Sequence, residues 1–341
     1  MEQFRQKAAE LKALVGSGGR KIVVLSHTNP DGDAIGSSLT WGHVLQGAGN
    51  DVTCILPNRY PAFLNWMEGI DRFVIAKENL DVAQKAIEQA EIVFCLDLNT
   101  IERIDETLCA AIEANTTAKR ILIDHHLNPP TYYDLMFSYP EDCSTSFVVY
   151  RLVCEIFGVE VLDKSDAENL YTGIMTDTGN LSFSSLTPEL FRAIAGLLER
   201  GLEIQKVNVA VYNAFTADRV RLLGYTLNKK MTLIENNTVS YIALSERELR
   251  RFNFQLGDSE GFVNYPLTIT GVKMSAIFIE TRKFIRVSLR SRGDEVDVNV
   301  FARKYFNGGG HKNAAGGRSY VSLAETVDHF IRSASEFLNH C

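Results

Sequence analysis

The chain has 341 residues, of which 45% are hydrophobic and 23% charged, and its formal net charge is −7. This length allows two domains with a sizeable core, and no apolar run approaches the roughly 18 residues of a membrane span. The acidic balance and the lack of a Lys/Arg-rich run argue against a long duplex nucleic acid as partner, so a short anionic ligand fits better.

Residues 1–15 place Phe4, Ala8, Leu11 and Val15 at helical spacing between charged residues. This pattern predicts an amphipathic helix and not a signal peptide, so we expect a cytoplasmic protein without a membrane partner. The six cysteines form no C-x-x-C pair. We therefore expect buried reduced thiols and no zinc knuckle.

Strand-like and helical segments alternate through the first half of the chain. The predicted strands cover residues 21–26, 51–56, 91–97 and 119–124, and the predicted helices cover 34–48, 79–90, 104–114, 145–158 and 165–176. This alternation predicts an α/β fold with a parallel sheet and helices on both faces. The pattern then stays helical from residue 188 to about 228.

Three of these predicted strands end in acidic residues or histidines. The first is followed by His27, Asp31 and Asp33, and the third by Asp97. Asp33 could cap the next helix and Asp97 could cap another, but one cap needs only one aspartate. A histidine and a second aspartate exceed what the first turn requires.

The fourth predicted strand ends in Asp124-His125-His126. Adjacent histidines after a strand project to opposite sides, so one can ligate a metal while the other faces a substrate. Asp124 can orient a ligand imidazole, although a structural histidine pair is the alternative. Asp177, after a predicted helix, is either a further ligand or a cap.

Because the carboxyl ends of parallel strands line one crevice, we expect these groups to converge there. Carboxylates and imidazoles without a thiolate form a mostly hard site, which favours manganese or magnesium, with cobalt or iron possible. The sequence therefore predicts a two-metal hydrolase.

After Lys229 the pattern changes to short β-rich runs. Predicted strands at 231–234, 239–244, 272–279 and 284–289 precede helices near 296–306 and at 323–338, as in a smaller C-terminal α+β domain. We expect a catalytic domain at 1–213, a helical connector at 214–230 and a substrate-binding domain at 231–341.

A glycine-rich segment, residues 307–317, follows two arginines that end a predicted strand. Glycines allow backbone N–H groups to approach an anion, and guanidinium groups suit bidentate phosphate contacts. A flexible hairpin with solvated charges is the alternative. The candidate substrate-binding residues are Arg290, Ser291, Gly309, Gly310, His311 and Asn313.

Together these segments resemble the DHH phosphoesterase superfamily, named for the triplet seen here as residues 124–126. The resemblance covers nearly the whole chain, with residues 27–33, Asp97, 173–179 and the C-terminal glycine-rich segment as its other motifs. Length and domain order look most similar to the NrnA-type nanoRNases. Those enzymes cleave very short oligonucleotides and remove the 3′ phosphate of phosphoadenosine phosphate.

The resemblance also implies roles for individual residues. One manganese ion would be held by His27, Asp31 and Asp97, and the other by Asp33, Asp97, His125 and Asp177. The residues implied to act in catalysis are His126, which would face the scissile phosphate, the bridging Asp97, and Asp124. Arg290, His311 and the neighbouring glycines would grip the far phosphate or nucleotide.

We therefore expect manganese-dependent hydrolysis of dinucleotides to pentanucleotides to mononucleotides, of 3′-phosphoadenosine 5′-phosphate to AMP, or of both. A linear dinucleotide phosphodiesterase and a pyrophosphatase or exopolyphosphatase are the alternative enzymes. A nonenzymatic nucleotide sensor would need a replaced ligand, and none is missing. The expected partners are short single-stranded oligonucleotides or small nucleotides, and apolar helix faces in 187–228 suggest a homodimer.

Overall fold

Each of the two units of the chain contains its own sheet. The structure, a computed structural model, describes residues 2–182 and 186–338, so that Cys341 lies outside the described residues. The units span Met1–Ala214 and Phe215–Cys341. A parallel α/β sheet in the first unit and a second, mostly antiparallel sheet in the shorter unit confirm the predicted fold class.

The N-terminal unit alternates strands and helices. In chain order its elements are α1 (Glu2–Val15), β1 (Lys21–Leu25), α2 (Gly32–Gly47), β2 (Asp51–Leu56), β3 (Val74–Ile75), α3 (Leu80–Gln89), β4 (Ile92–Leu96), α4 (Glu106–Ala114), β5 (Lys119–Asp124), β6 (Leu135–Ser138), α5 (Thr145–Ile156), α6 (Lys164–Asp177), α7 (Pro188–Glu199) and α8 (Ile204–Tyr212). The edge strands β3 and β6 were not predicted. With two and four residues, they are too short to show a period.

The six strands of this unit pair in parallel in the order β3-β2-β1-β4-β5-β6. Alternate strand residues enter two different cores: Val24 and Phe94 on one face, Val23 and Val93 on the other. Helices therefore cover both faces, as predicted. The apolar side of α1 packs into the first of these cores, which confirms its amphipathic character.

The direction of chain progression reverses between β1 and β4. From β1 the chain continues to β2 and β3 on one side, whereas β4, β5 and β6 follow on the other. The loops after β1 and β4 consequently leave the same edge side by side. In open α/β sheets this switch point is where ligands bind.

The C-terminal unit combines a sheet with helices. Its elements are α9 (Ala217–Tyr225), β7 (Met231–Ile234), β8 (Val239–Leu244), α10 (Glu246–Arg251), β9 (Met274–Glu280), β10 (Ile285–Ser291), α11 (Val298–Tyr305), β11 (Gly309–His311), β12 (Ala314–Ser319) and α12 (Leu323–Leu338). The strand order is β11-β12-β10-β9-β8-β7, and β8 and β9 are the parallel pair. Phe278, Phe301, Phe306 and Phe330 pack in its main core.

The glycine-rich segment forms the β11–β12 hairpin at the edge of this sheet. A Cβ on Gly308 would lie 1.9 Å from the carbonyl oxygen of Gly316, and one on Gly310 would lie 2.5 Å from that of Ala314. The close approach of the two strands therefore requires glycine at both positions.

Among the helices of the described residues, none combines the length and the apolar character needed to cross a membrane.

Candidate metal centre

Three neighbouring strands of the parallel sheet deliver the predicted polar groups to one edge. His27 follows β1, Asp97 follows β4, and Asp124 is the last residue of β5. Two helices add the remainder, since Asp33 lies in the first turn of α2 and Asp177 ends α6. The structure brings together the predicted residues His27, Asp31, Asp33, Asp97, Asp124, His125, His126 and Asp177.

The first group in this cluster contains His27, Asp31 and Asp97, whose potential ligand atoms lie within 4.8 Å of one another. His27 Nε2 is 3.3 Å from Asp97 Oδ2. His27 Nδ1 is 3.0 Å from the carbonyl oxygen of Thr28 and can donate its proton there. This contact leaves Nε2 as the nitrogen available for a cation.

The second group contains Asp33, His125 and Asp177, again within 4.8 Å. His125 Nε2 is 3.1 Å from Asp177 Oδ2 and 3.8 Å from Asp33 Oδ2. His125 Nδ1 lies 3.3 Å from the backbone carbonyl of Asp142. That carbonyl can accept the Nδ1 proton and direct Nε2 to the group, a role that the sequence did not reveal because a backbone oxygen has no residue signature.

Asp97 lies between the two groups. Its Oδ2 faces His27, while its Oδ1 is 3.6 Å from His125 Nε2 and accepts a 3.0 Å hydrogen bond from the Thr145 hydroxyl. The backbone of Asp97 is left-handed, with φ of 57°. Such a conformation is unfavourable for a non-glycine residue and is held here by the surrounding structure.

The two aspartates of the first loop differ in their contacts. Asp31, and not Asp33, caps α2, since its Oδ1 accepts from the backbone N–H groups of Asp33 and Ala34 at 3.1 Å each. The Asp33 carboxylate accepts from the N–H groups of Thr145 and Ser146, at 2.6 and 2.8 Å. These residues begin α5, so the N-terminus of that helix anchors Asp33.

Thr145 and Ser146 did not appear among the sequence candidates. The available sign was Ser144-Thr145-Ser146 at the start of a predicted helix, where backbone N–H groups are open to an anion. Nothing in the sequence indicated that the anion would be a carboxylate more than a hundred residues away.

Asp124 orients His126. It accepts from His126 Nδ1 at 2.7 Å and from the backbone N–H of His126 at 3.0 Å. Asp124 thus orients the imidazole that is expected to face substrate and not the candidate ligand His125. It keeps a proton on Nδ1 of His126, so that Nε2 accepts in the neutral imidazole and donates only in the imidazolium.

The electrostatics of the cluster suit a cation. Burial raises the pKa of Asp33 well above its usual range, and the charges of Asp97 and Asp177 raise it further. Burial lowers the pKa of His125, but the hydrogen bond to Asp177 and the neighbouring carboxylates outweigh burial and raise it. The carboxylates gathered here therefore need positive charge between them, which protons or divalent cations can supply.

The donor set and spacing also fit divalent ions. Ligands at right angles on bonds of about 2.1 Å lie about 3 Å apart, and the His27–Asp97 and His125–Asp177 pairs are 3.3 and 3.1 Å apart. Oxygen and imidazole donors without thiolate are those that manganese and magnesium accept. The described residues thus contain groups that could hold metal ions.

The substrate-binding candidates lie at the end of β10, in β11 and in the turn between β11 and β12. In the strand register His311 opposes Ala314, which in turn opposes Arg290, so these positions form one row. The Asn313 amide donates to Ser291 Oγ at 2.9 Å, and Ser291 donates to the carbonyl of Val296 at 2.7 Å. The N–H of Gly310 is engaged by Asn299 Oδ1 at 3.0 Å.

Two protein-family models match the chain. The DHH family N-terminal domain matches residues 21–174, and the DHHA1 domain matches residues 236–340. The chain belongs to the DHH family. DHH proteins are phosphoester hydrolases, and the chain is an enzyme of that class.

Curated relatives align along most of the chain. The bifunctional oligoribonuclease and PAP phosphatase NrnA of Bacillus subtilis is 28% identical over 302 residues, covering 88% of this chain and 89% of the relative. The protein of the same name from Thermus thermophilus is 29% identical, covering 92% of this chain and 88% of the relative.

A solved structure of an exopolyphosphatase-related protein from Bacteroides fragilis superimposes with a TM-score of 0.90. The two sequences are 36% identical, and the alignment covers 100% of this chain and 98% of the Bacteroides fragilis chain. Its architecture supports the fold of both units described above.

Proposed function

We propose that this DHH protein is a manganese-dependent phosphoesterase that hydrolyses short oligonucleotides, from dinucleotides to pentanucleotides, and 3′-phosphoadenosine 5′-phosphate. The observation that carries the two-metal reaction is the position of Asp97, whose two carboxylate oxygens face different donor groups. The substrate class is supported by the NrnA relatives, which align with most of the chain.

The proposed ligands of one ion are His27, Asp31 and Asp97, and those of the other are Asp33, Asp97, His125 and Asp177. Bound divalent ions would acidify a water molecule and offset the negative charge of the phosphoryl group. Asp97 contacts a histidine of each donor group. The Thr145 hydroxyl donates a hydrogen bond to Oδ1 of Asp97 and so orients this carboxylate. We propose two roles for Asp33: it is a ligand of the second ion, and it connects α2 to α5, whose backbone N–H groups donate to both of its oxygens.

His126 is the proposed proton-bearing group on the substrate side. Asp124 accepts the Nδ1 proton and thereby favours the imidazolium, the form with a proton on both ring nitrogens; in that form Nε2–H would donate a hydrogen bond to a phosphoryl oxygen as negative charge develops there. In the C-terminal unit, Arg290 and His311 are proposed to bind a phosphate of the substrate. The neighbouring residues proposed to line this phosphate site are Ser291, Asn313, Gly309 and Gly310.

A substrate panel tests this function. The full-length protein with Mn²⁺ should release mononucleotides from di- to pentanucleotides and phosphate from 3′-phosphoadenosine 5′-phosphate, and chelation by EDTA should stop both. Asp97→Asn should abolish turnover with the circular dichroism spectrum unchanged. If the manganese-loaded wild type leaves both substrates intact, the proposal is wrong.

A second candidate is the hydrolysis of polyphosphate or pyrophosphate. The observation that favours it is the likeness to the Bacteroides fragilis protein, which is described as exopolyphosphatase-related. Phosphate release from polyphosphate, pyrophosphate and a dinucleotide, measured side by side with one preparation, separates the two. Linear dinucleotides belong in the same panel.

A further inference from the structure

A second cluster of metal-type donors lies apart from the candidate metal centre in the N-terminal unit. His43 of α2, Asp163, which caps α6, and Asp166 in the first turn of α6 have donor atoms within 4.8 Å of one another. All three line a cavity of about 100 Å³. None of them has a part in the proposed hydrolysis.

The cluster contains a deeply buried carboxylate. Asp166 is 1% exposed, and His43 Nδ1 lies 3.0 and 2.9 Å from its two oxygens. The His43 side chain is 42% exposed, so solvent reaches the imidazole that faces the buried acid. A proton or a metal ion can occupy the position between them.

Asn169, one turn further along α6, supplies an independent observation. It lines the same cavity and is 3% exposed, and its Nδ2 donates to the backbone carbonyl of Glu68 at 3.3 Å. Its Oδ1 is buried and has no hydrogen-bond partner among the described residues. A buried carbonyl oxygen without a partner is unfavourable, and a cation would satisfy it.

We propose that His43, Asp163, Asp166 and Asn169 form a further divalent-cation site. An imidazole nitrogen, two carboxylates and an amide oxygen are suitable donors for Mn²⁺, Co²⁺ or Zn²⁺. Asp163 uses Oδ1 for its bonds to the Asp166 N–H and the Ser165 hydroxyl, so Oδ2 is the oxygen it would offer.

The proposed site and the candidate metal centre occupy opposite ends of one helix pair. Asp33 and His43 are ten residues apart on α2, or about 15 Å at 1.5 Å per residue. The helices run antiparallel, because Gly36 abuts Asn169 and Thr40 Oγ1 donates to the carbonyl of Asp166 at 3.4 Å. An ion at the proposed site would therefore tie together the helices that carry Asp33 and Asp177.

Manganese binding to the full-length protein, followed by electron paramagnetic resonance, tests the site. The double variant Asp97→Asn/Asp177→Asn removes carboxylates from the candidate metal centre, and we expect it to retain one bound Mn²⁺. Adding His43→Gln or Asp163→Asn should weaken that binding at least about tenfold. Asp105→Asn, which alters the cap of α4, is the matched control and should leave binding unchanged.

Two results would overturn the proposal: a double variant that binds no Mn²⁺, or one whose binding is unaffected by both His43→Gln and Asp163→Asn. The readout is ion binding and not turnover. Failure of the proposed substrates therefore does not bear on it.

Arg72 allows a test of whether the cavity binds a cation or an anion. It lines the same cavity, and its positive charge opposes a cation. Arg72→Gln in the double variant should tighten Mn²⁺ binding. If it weakens that binding, or if inorganic phosphate in place of Mn²⁺ raises the melting temperature in a manner that depends on His43, the cavity binds anions and the proposal is wrong.

Discussion

Asp97 shows how much of this site depends on single atoms. The residue is 2% exposed, its backbone is left-handed, and its two oxygens face different imidazoles. The hydrogen bond from His27 and the nearby imidazoles outweigh burial and hold the pKa of Asp97 below its usual range. Asp97 is therefore ionised across the working pH range, as a ligand must be.

Thr145 should act as a positioning residue for Asp97. Thr145→Val keeps the shape but removes the hydroxyl that donates to Oδ1, a loss of roughly 1–3 kcal/mol for a buried acceptor. We expect the Mn²⁺ concentration for half-maximal activity to rise about tenfold or more. Thr145→Ser restores the donor and should restore the metal dependence, whereas equal defects in both variants would contradict this role.

Asp124 should matter for turnover more than for metal binding. In Asp124→Asn the partner of His126 Nδ1 no longer fixes one tautomer, and kcat should fall by about two to four orders of magnitude. Equilibrium dialysis should still show the wild-type content of Mn²⁺. A variant that loses metal and activity together would place Asp124 with the ligands.

The α2–α6 pair is the element on which the site depends most. Both helices contribute carboxylates, and glycines permit their close contact. A Cβ at Gly36 would lie 2.2 Å from the Asn169 carbonyl oxygen, and one at Gly173 would lie 2.6 Å from Asp33 Oδ1. Small residues here set the distance between the candidate ligands.

Gly36→Ala should separate the two helices. The added methyl meets backbone, which cannot rotate away, so we expect a loss of roughly 1–3 kcal/mol in the free energy of unfolding and reduced activity. Gly47→Ala is the matched control, since its Cβ meets nothing within 4 Å. That variant should be neutral or gain up to about 1 kcal/mol from higher helix propensity. Urea unfolding of both proteins measures the contrast.

Glu248 connects α9 and α10 in the C-terminal unit. It accepts hydrogen bonds from the Tyr225 hydroxyl and from the N–H of Ser245, and it pairs with Lys230 at 2.9 Å. Burial raises its pKa, but these bonds outweigh burial and lower it from 4.5 to about 2. The ionised form is therefore favoured by folding.

Glu248→Gln should consequently show a pH-dependent cost. A lowered folded-state pKa gives stability that is complete above pH 4.5 and is lost as the pH falls toward 2. We expect the variant to be less stable by roughly 1 kcal/mol at pH 7, because the charge that pairs with Lys230 is lost, with a smaller difference at pH 3. Calorimetry of full-length proteins checks this, and a constant difference would contradict it.

At the scale of the whole molecule, the net charge of −7 bears on substrate length. A ligand with one or two phosphates releases few counterions, so KM for a dinucleotide should rise less than about tenfold between about 50 and about 200 mM NaCl. A protein that tracked a long strand would show a far steeper dependence. Initial rates at several salt concentrations measure it.

The sequence predicted the first sheet well because β1, β4 and β5 are apolar runs followed directly by the acidic residues and histidines of the candidate metal centre. β1, β4 and β5 were found within one or two residues. The edge strands β3 and β6 and the β11–β12 hairpin were not predicted as strands. Their pairing depends on neighbours in space, which a pattern along the chain does not show.

The sequence by itself determined which residues are candidates, since acidic residues and histidines that follow buried strands indicate both the chemistry and the edge at which it appears, and the family resemblance supplied their assignment as ligands. Only the tertiary structure decided which contacts each of them makes. Asp31 caps α2, the N-terminus of α5 binds Asp33, the backbone carbonyl of Asp142 orients His125, and Asp124 orients His126. Most of these contacts involve backbone groups or residues far apart in sequence. Only the folded chain brings such atoms within hydrogen-bonding distance.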